Sequence, residues 1–397
     1  MPLAPLNIAI AGAGVGGLAA GALLARDGHK VTIFDRFDAP AAVGSGLMLQ
    51  KTGLAVLEAM ELEARVSALG QPIKRLAGRT HGAGRLVLDV RFEKLAPNLR
   101  GLAVQRPALF GALFEAAKTS GAGIVTKATI KSADPKTGAL IGSNGQDFGA
   151  FDLIVDALGA RSPLSTHPRR DLPYGALWAT LPWPEDGPFD AEALEQRYLG
   201  ARQMAGVMAS GRAAPGAPLM ATYFWSVKGD ERDWRSKPLE QWKQQAAALW
   251  PETAGLLTHI TSHSQVAFAR YRHRTHGRPI EGRVVHLGDS WHATSPQLGQ
   301  GANMALLDAW ALAAALSETG ALAPALRRYR RLRVAHVRTY QRLSHLLTPV
   351  YQSDSRTLPF LRDRLAAPLM RVPPAPRTLA ALVSGAFRSP LKRLGLG

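Results

Sequence analysis

Cysteine is absent from all 397 residues, which excludes a disulfide framework, cysteine-ligated metal and thiol catalysis. Acidic residues are scarce: 30 Asp and Glu stand against 48 Lys and Arg, a formal net charge of +18. Such a balance attracts polyanions and anionic surfaces without specifying one. No apolar run approaches the roughly 20 residues that a bilayer-spanning helix requires. A basic leader with a cleavage site is also missing, so a soluble, cytoplasmic protein is expected. The histidines lack paired ligand spacing, so no metal is expected. There is no Gly-x-Ser-x-Gly elbow of the hydrolase kind. No aromatic-interleaved recognition module is present, so no specific nucleic-acid partner is expected. What the chain does have is apolar material, at 46% hydrophobic against 20% charged residues, enough to bury a large core.

The order of elements near the N-terminus is informative. A short apolar segment, Asn7 to Ala11, runs into a glycine-rich turn and an Ala/Leu-rich stretch. The β-branched His29 to Phe34 follows and ends at Asp35. Strand, glycine turn, helix, strand and acid make a βαβ unit. The same α/β texture returns at Ala108 to Lys118, Phe151 to Ala157 and Arg283 to Leu316. Between these blocks the chain reads as short strands with Pro/Gly punctuation. We therefore expect an α/β fold in three parts. A discontinuous Rossmann-type domain takes 1–73, 98–171 and 275–324; an inserted β-sheet domain takes 74–97 and 172–274; a C-terminal helical segment takes 325–397. In that last segment Arg327, Arg328, Arg330, Arg331, Arg333, Arg338 and Arg342 read as a solvated face around an apolar stripe of Leu326, Tyr329, Leu332 and Val337. Contact of this basic helix with an anionic membrane is the alternative.

The turn Gly12-Ala13-Gly14-Val15-Gly16-Gly17 carries a G-x-G-x-x-G pattern. In it Gly12 permits the tight turn, Gly14 lets the backbone approach a pyrophosphate, and Gly17 permits close packing of helix on strand. The helix N-terminus directs its unpaired N–H groups at the phosphates. Asp35, at the end of the next strand, suits a ribose hydroxyl pair and disfavours a 2′-phosphate, which leaves NAD or FAD. A second signature chooses between them. Gly288-Asp289 ends an apolar strand, and Pro296-Gln297-Leu298-Gly299-Gln300-Gly301-Ala302-Asn303 opens a helix. A carboxylate there can accept hydrogen bonds from a sugar-alcohol chain, and the glycine turn can offer backbone donors to an electron-rich heterocycle. A long FAD molecule needs both loops.

At these residues the chain resembles the FAD-dependent aromatic hydroxylases of the para-hydroxybenzoate hydroxylase type, the single-component flavin monooxygenases. The resemblance runs in order through the glycine fingerprint, the pair Asp35-Arg36, Arg106, the strand-turn Asp156 to Ser162 and Gly288-Asp289. It implies that Gly12, Gly14, Val15, Gly16 and Gly17 pass the pyrophosphate, that Asp35 and Arg36 meet the adenosine, and that Arg106 lies near the flavin. It also implies that Asp289 binds the ribityl chain. Gly299, Gly301, Ala302 and Asn303 would stand at the flavin pyrimidine edge, and Pro296 beside the isoalloxazine. The implied activity is hydroxylation of an aromatic or heteroaromatic small molecule with O2 and NAD(P)H. In that cycle oxygen adds to flavin C4a and the hydroperoxide passes its distal oxygen to an electron-rich ring, in a site closed to water. NAD(P)H would bind transiently, because no second dinucleotide fingerprint is present.

Two features depart from the family pattern. Asp35 stands where Glu is usual, and Leu158 stands where the middle motif normally has Asp, which bears on the nicotinamide contact. The second departure keeps open a flavin reductase, dehydrogenase or halogenase on the same scaffold, although Trp178 and Trp183 do not form the paired-Trp motif of halogenases. A nonenzymatic flavin-binding partner is the reading from another class. For the substrate wall the expectation falls on Leu219 to Trp225. There Tyr223 would polarise a phenol and Trp225 would lie beside it, with Arg270 on a returning strand receiving an acidic substrate group.

Overall fold

The computed structural model describes residues 3–39, 45–165 and 170–397. Six strands form the central sheet in the order Ile280–Glu281, Val284–His286, Leu153–Asp156, Asn7–Ala11, Lys30–Phe34, Gly123–Val125. All its pairings are parallel except that of the edge strand Ile280–Glu281. Leu153–Asp156 is buried at every position, as suits a strand covered on both faces. Starting from Asn7–Ala11, the chain moves outward to one side and later returns to the other. The switch point of this Rossmann-type sheet therefore lies where Asn7–Ala11 meets Leu153–Asp156, the crevice in which such sheets bind ligands.

Two helices cover one face in contact with each other, Val15–Arg26 and Gly301–Ser317. The second buries an apolar stripe that includes Leu306, Leu307, Ala311 and Leu312. A Cβ on Gly16 would come within 3.2 Å of the Ala305 Cβ and 2.6 Å of a Leu287 methyl. The two glycine loops, remote in sequence, are thus packed together through a side-chain-free position.

A seven-stranded sheet carries the strands Val266–His273, Arg170–Pro182, Met220–Lys228, Gln203–Ala209, Ala193–Leu199, Arg75–Thr80 and Leu86–Arg91, in that spatial order. One face is sealed by three short helices, Glu231–Arg235, Leu239–Leu249 and Ala254–Leu257. Sequence reading takes this stretch as strands. The helical signal was present in Leu239, Trp242, Ala246 and Leu249, spaced to lie along one helical face.

The basic segment forms a helix of 30 residues, Leu322–Tyr351. Leu326, Tyr329 and Val337 are buried on its inner side, and Leu332 is half-buried. Arg333 does not join the solvated face: it is fully buried, and an ion pair with Asp308 explains why.

Candidate active site

The first glycine turn has the geometry of a phosphate cradle. Gly12 adopts φ 106°, and a Cβ there would sit 2.5 Å from the Ala157 carbonyl oxygen. A Cβ on Gly17 would lie 1.9 Å from the Gly12 carbonyl oxygen, so helix and strand approach to backbone contact. Gly14, by contrast, is exposed, and nothing lies within 4 Å of where its Cβ would be. Leu18 N–H is the first to bond within the helix, to Gly14 O. The N–H groups of Val15, Gly16 and Gly17 have no acceptor among the described residues and border that open space. Closed at the first and third glycines and open at the second, the turn fits a dinucleotide pyrophosphate.

Asp35 is half-buried and braces this turn: its Oδ2 accepts from Ala13 N–H at 2.6 Å and its Oδ1 from Phe37 N–H at 3.3 Å. Arg36, next to it, is exposed. Asp156, from the middle motif, is fully buried. It accepts from Leu158 N–H at 3.0 Å and Ser162 Oγ at 2.7 Å, and its Oδ2 lies 2.7 Å from His286 Nδ1. These bonds tie together the middle motif and the Val284–His286 strand.

Arg106 and Asp289 line a recess. Both are solvent-accessible, yet burial among surrounding protein is the main influence on each: it lowers the Arg106 guanidinium and raises the Asp289 carboxyl. The two charges partly offset this for each other, and His292 does the same for Asp289. Groups both wetted and crowded lie in a concavity. Arg106 Nε donates to Ser45 O at 3.0 Å, which fixes the guanidinium.

At the second glycine turn, Gly299 takes φ 62°, and Gly301 opens the helix. Met304 N–H is the first to bond back, to Gln300 O, so Gly301, Ala302 and Asn303 leave their N–H groups without acceptors among the described residues. The Asn303 side chain is turned inward. Its Oδ1 accepts from Gln50 N–H at 2.8 Å, and its Nδ2 donates to Gly299 O at 3.1 Å and Met48 O at 3.3 Å. Pro296 is exposed at the start of the turn. Behind it, Ser295 Oγ contacts Thr348 Oγ1 at 2.6 Å and Ser344 Oγ at 3.0 Å, and Ser344 Oγ lies 3.5 Å from His273 Nε2.

A buried charge cluster supports this half of the site. Asp308 Oδ2 accepts from Gly288 N–H at 2.8 Å and meets His292 Nε2 at 2.6 Å, while its Oδ1 takes Arg333 Nε at 2.6 Å. Burial alone would raise the Asp308 carboxyl, but His292 and Arg333 outweigh it and hold the group down at about 2. Sequence reading passed over Asp308 and Arg333 as functional support. An acid in an otherwise apolar helix was the available signal.

The substrate-wall expectation is corrected. Tyr223 and Trp225 are 1% and 5% exposed and pack into the cluster with Trp234 and Trp242, on the face sealed by the three short helices. Side chains alternate along a strand, so the opposite face belongs to Thr222, Phe224 and Ser226. Thr222 Oγ1 accepts from Gly46 N–H at 3.1 Å and lies 2.9 Å from Ser210 Oγ; Gln105 Nε2 donates to that same Ser210 Oγ at 2.5 Å. Gly46 and Gln105 adjoin Ser45 and Arg106, so Thr222, itself 1% exposed, supports the recess from behind while Tyr223 lies on the opposite face. Arg270 is also displaced from a substrate role. It lies exposed on an edge strand, 3.6 Å from Asp171 and 4.0 Å from Asp230.

One grouping escaped sequence reading: His276, Glu281 and His286 bring ligand-type atoms within 4.8 Å of one another. The two Nδ1 atoms have other engagements, whereas His286 Nε2 is buried with no hydrogen-bond partner among the described residues. His276 Nδ1 accepts from Arg278 N–H, which leaves its proton on Nε2, 3.0 Å from Glu281, and His286 Nδ1 meets Asp156.

A model of the FAD binding domain family matches residues 6–139 and 188–343, a span that includes both glycine turns, Arg106, Asp289 and Asp308. The chain belongs to the FAD binding domain family. Its fold is that of the single-component FAD-dependent aromatic hydroxylases, and it is an FAD-dependent monooxygenase. It is 26% identical over 397 residues to a Rhodococcus erythropolis protein named "Probable 2-heptyl-3-hydroxy-4(1H)-quinolone synthase", covering 97% of this chain and 95% of that one. To 3-amino-4-hydroxybenzoate 2-monooxygenase of Streptomyces cremeus it is 29% identical, covering 83% of each. Among solved structures, Klebsiella pneumoniae HpxO complexed with FAD and uric acid shares the fold at TM-score 0.79 and 19% identity, with 97% of both chains covered. FAD is its cofactor. No helix among the described residues is long and apolar enough to cross a membrane.

Proposed function

We propose that this protein hydroxylates an aromatic or heteroaromatic small molecule, taking electrons from NAD(P)H and oxygen from O2. The observation that carries this reading is the meeting of two helix N-termini and the Arg106–Asp289 recess on one side of the fold, beside a polar sheet face. Bound FAD supplies the electron and oxygen-transfer chemistry. The chain's residues supply the rest. Gly12, Gly14 and the N–H groups of Val15, Gly16 and Gly17 hold the pyrophosphate, and Asp35 and Arg36 take the adenosine end. Asp289 accepts from the ribityl hydroxyls, with Arg106 fixed across the recess by Ser45. The N–H groups of Gly301, Ala302 and Asn303, at the positive end of a long helix, favour negative charge on the flavin pyrimidine edge.

Substrate lies against the Pro296 turn, and Thr222, Ser210 and Gln105, all buried and hydrogen-bonded to one another, form the layer behind that site. Paired with one another and with Gly46 N–H, those groups hold the backbone beside Ser45 and Arg106 in place rather than meeting the ring. The hydroxyls of Ser295, Thr348 and Ser344 lead from behind Pro296 to His273, a route along which a phenolic proton can leave the pocket. Burial lowers His273 to about 4, so at neutral pH it is uncharged and too weak a base to hold that proton, serving only to pass it on.

By their names, one relative above makes a hydroxyquinolone and the other oxygenates an aminohydroxybenzoate, which supports a substrate of this class. The test is turnover of FAD-loaded protein under isotopically labelled dioxygen with a panel of phenols, pyridones and quinolones. Substrate-stimulated NAD(P)H oxidation with label in the product is expected. NAD(P)H consumption that yields only hydrogen peroxide across the whole panel sinks the hydroxylase reading. Leu158 favours one second reading, electron delivery by a separate reductase, and activity with chemically reduced flavin but not with NAD(P)H would identify it.

A further inference from the structure

The helical segment that follows the long basic helix is amphipathic the wrong way round. It runs without interruption through Thr357–Leu361, Arg362–Ala366 and Ala367–Leu369. Its inner side holds Arg362, only 4% exposed, whose guanidinium lies over the rings of Tyr198 and Tyr351. Arg362 also donates to Val350 O at 3.2 Å and Gly200 O at 3.1 Å, and it pairs with Asp363. That anchor fixes the rotation of the segment. Leu361, Leu365 and Leu369, spaced by four, are turned outward at 44%, 56% and 65% exposure, with Phe360 beside them at 60%. A helix on the surface of a globular body normally shows the opposite arrangement.

A shallow groove of about 420 Å³ runs alongside this ridge, lined by Arg85, Arg364 and Arg371 with Leu86 and Asp363. Its only acid, Asp363, is paired with Arg362, so the net charge it presents is positive. Arg338, Arg342 and Leu346, also spaced by four and exposed, continue the theme on the long helix. An isologous contact with a second copy would set these arginines against themselves in a chain of charge +18.

We propose that this ridge and groove dock the enzyme on an anionic phospholipid bilayer. The leucines and Phe360 enter the boundary between headgroups and acyl chains, and Arg85, Arg364 and Arg371 meet lipid phosphates. Hydrophobic and electrostatic attachment together hold where either alone is marginal. Neither element belongs to the flavin site, so the proposal stands apart from the identity of the substrate.

Co-sedimentation of the FAD-loaded, full-length protein with lipid vesicles tests it. Binding is expected to vesicles containing phosphatidylglycerol, to weaken as salt rises, and to be absent with pure phosphatidylcholine. Replacing Arg364 and Arg371 with Gln should weaken binding about fivefold for each arginine. Leu365→Ser should weaken it roughly tenfold, and Leu361→Ser with Leu365→Ser and Leu369→Ser should abolish it. These positions are exposed, so flavin content and turnover of a water-soluble substrate serve as folding controls and should not change. Equal binding to both vesicle types, undiminished binding by the triple variant, or no binding to phosphatidylglycerol vesicles would overturn the proposal. Self-association that the triple variant removes, without vesicle binding, would assign the ridge to a second copy instead.

Discussion

Arg333 Nε donates to Asp308 Oδ1 at 2.6 Å with both side chains fully buried, and the other oxygen of that carboxylate holds Gly288 N–H and His292. A residue of the long basic helix therefore fixes the turn that carries Asp289. Burying two charges is costly, and removing one partner strands the other, at about 3–5 kcal/mol. Arg333→Met and Asp308→Asn should each lower unfolding stability by roughly that amount and loosen FAD, read by urea titration and flavin fluorescence. The double variant Arg333→Met with Asp308→Leu should lose much less than the sum, because the two groups act as a pair.

Acid should destabilise the protein in two stages. His336 accepts from Arg333 Nη1 through Nδ1 and donates from Nε2 to Gly385 O, so both nitrogens are used in the neutral form. Burial, reinforced by Arg333, lowers its pKa to about 3, against about 6.5 in the unfolded chain. The unfolded state therefore binds the extra proton first, and stability falls as pH drops from about 6.5 toward 3, by roughly 4 kcal/mol. Asp308 adds a second loss, of about 2 kcal/mol, as pH falls from the ordinary carboxylate range through about 2. Thermal unfolding against pH should show the first decline starting near neutrality, and His336→Leu should reduce it without abolishing it, because His273, lowered to about 4, costs stability in the same window.

The three glycines of the first turn should separate folding from cofactor binding. Gly17→Ala places a methyl against the Gly12 carbonyl and should unfold or severely destabilise the protein. Gly14→Val meets no protein atom, so the fold should survive while FAD affinity falls by at least tenfold, on the order of 1.4 kcal/mol, as the side chain occupies the approach of the phosphates. Circular dichroism beside flavin content would distinguish these outcomes.

Tyr223→Phe should be silent in turnover. The Tyr223 hydroxyl is buried with no hydrogen-bond partner, so removing it should stabilise the protein by about 1 kcal/mol and change kcat and KM by less than a factor of two. A large kcat effect would return Tyr223 to the substrate pocket. Thr222→Val, one residue away, should instead cost about 1–3 kcal/mol of unfolding stability, because it strips the buried Gly46 N–H and Ser210 hydroxyl of a partner.

Tyr223 also marks where sequence reading stopped. The FAD-binding fold class was legible because each glycine loop lies between a strand and a helix, and that local order is written in consecutive residues. The two loops could be linked to one cofactor without knowing their distance, since FAD is long enough to need both. The facing of the Met220–Lys228 strand was not legible in the same way. Large apolar side chains stand on both sides, so period-two alternation does not say which side meets the helices. The hydroxyls of Thr222 and Ser226 were the weak signal, interrupting one face only. Arg333 was misread for a related reason: one arginine among seven on a helix looks solvated until its partner, 25 positions earlier, is brought beside it.

The order of the central sheet has a consequence for biosynthesis. Ile8 pairs with Leu153, and Ile154 pairs in turn with Val284, so neighbouring strands leave the ribosome far apart in time. The first glycine loop emerges early, but its packing partners Leu287 and Ala305 come only after the whole seven-stranded sheet has been translated. Pairings between such distant segments close slowly. A nascent chain that stops before Ala305 has a phosphate turn backed by Ala157 and Leu287 but lacks the second helix, so capture of the yellow prosthetic group belongs to the last stage of folding.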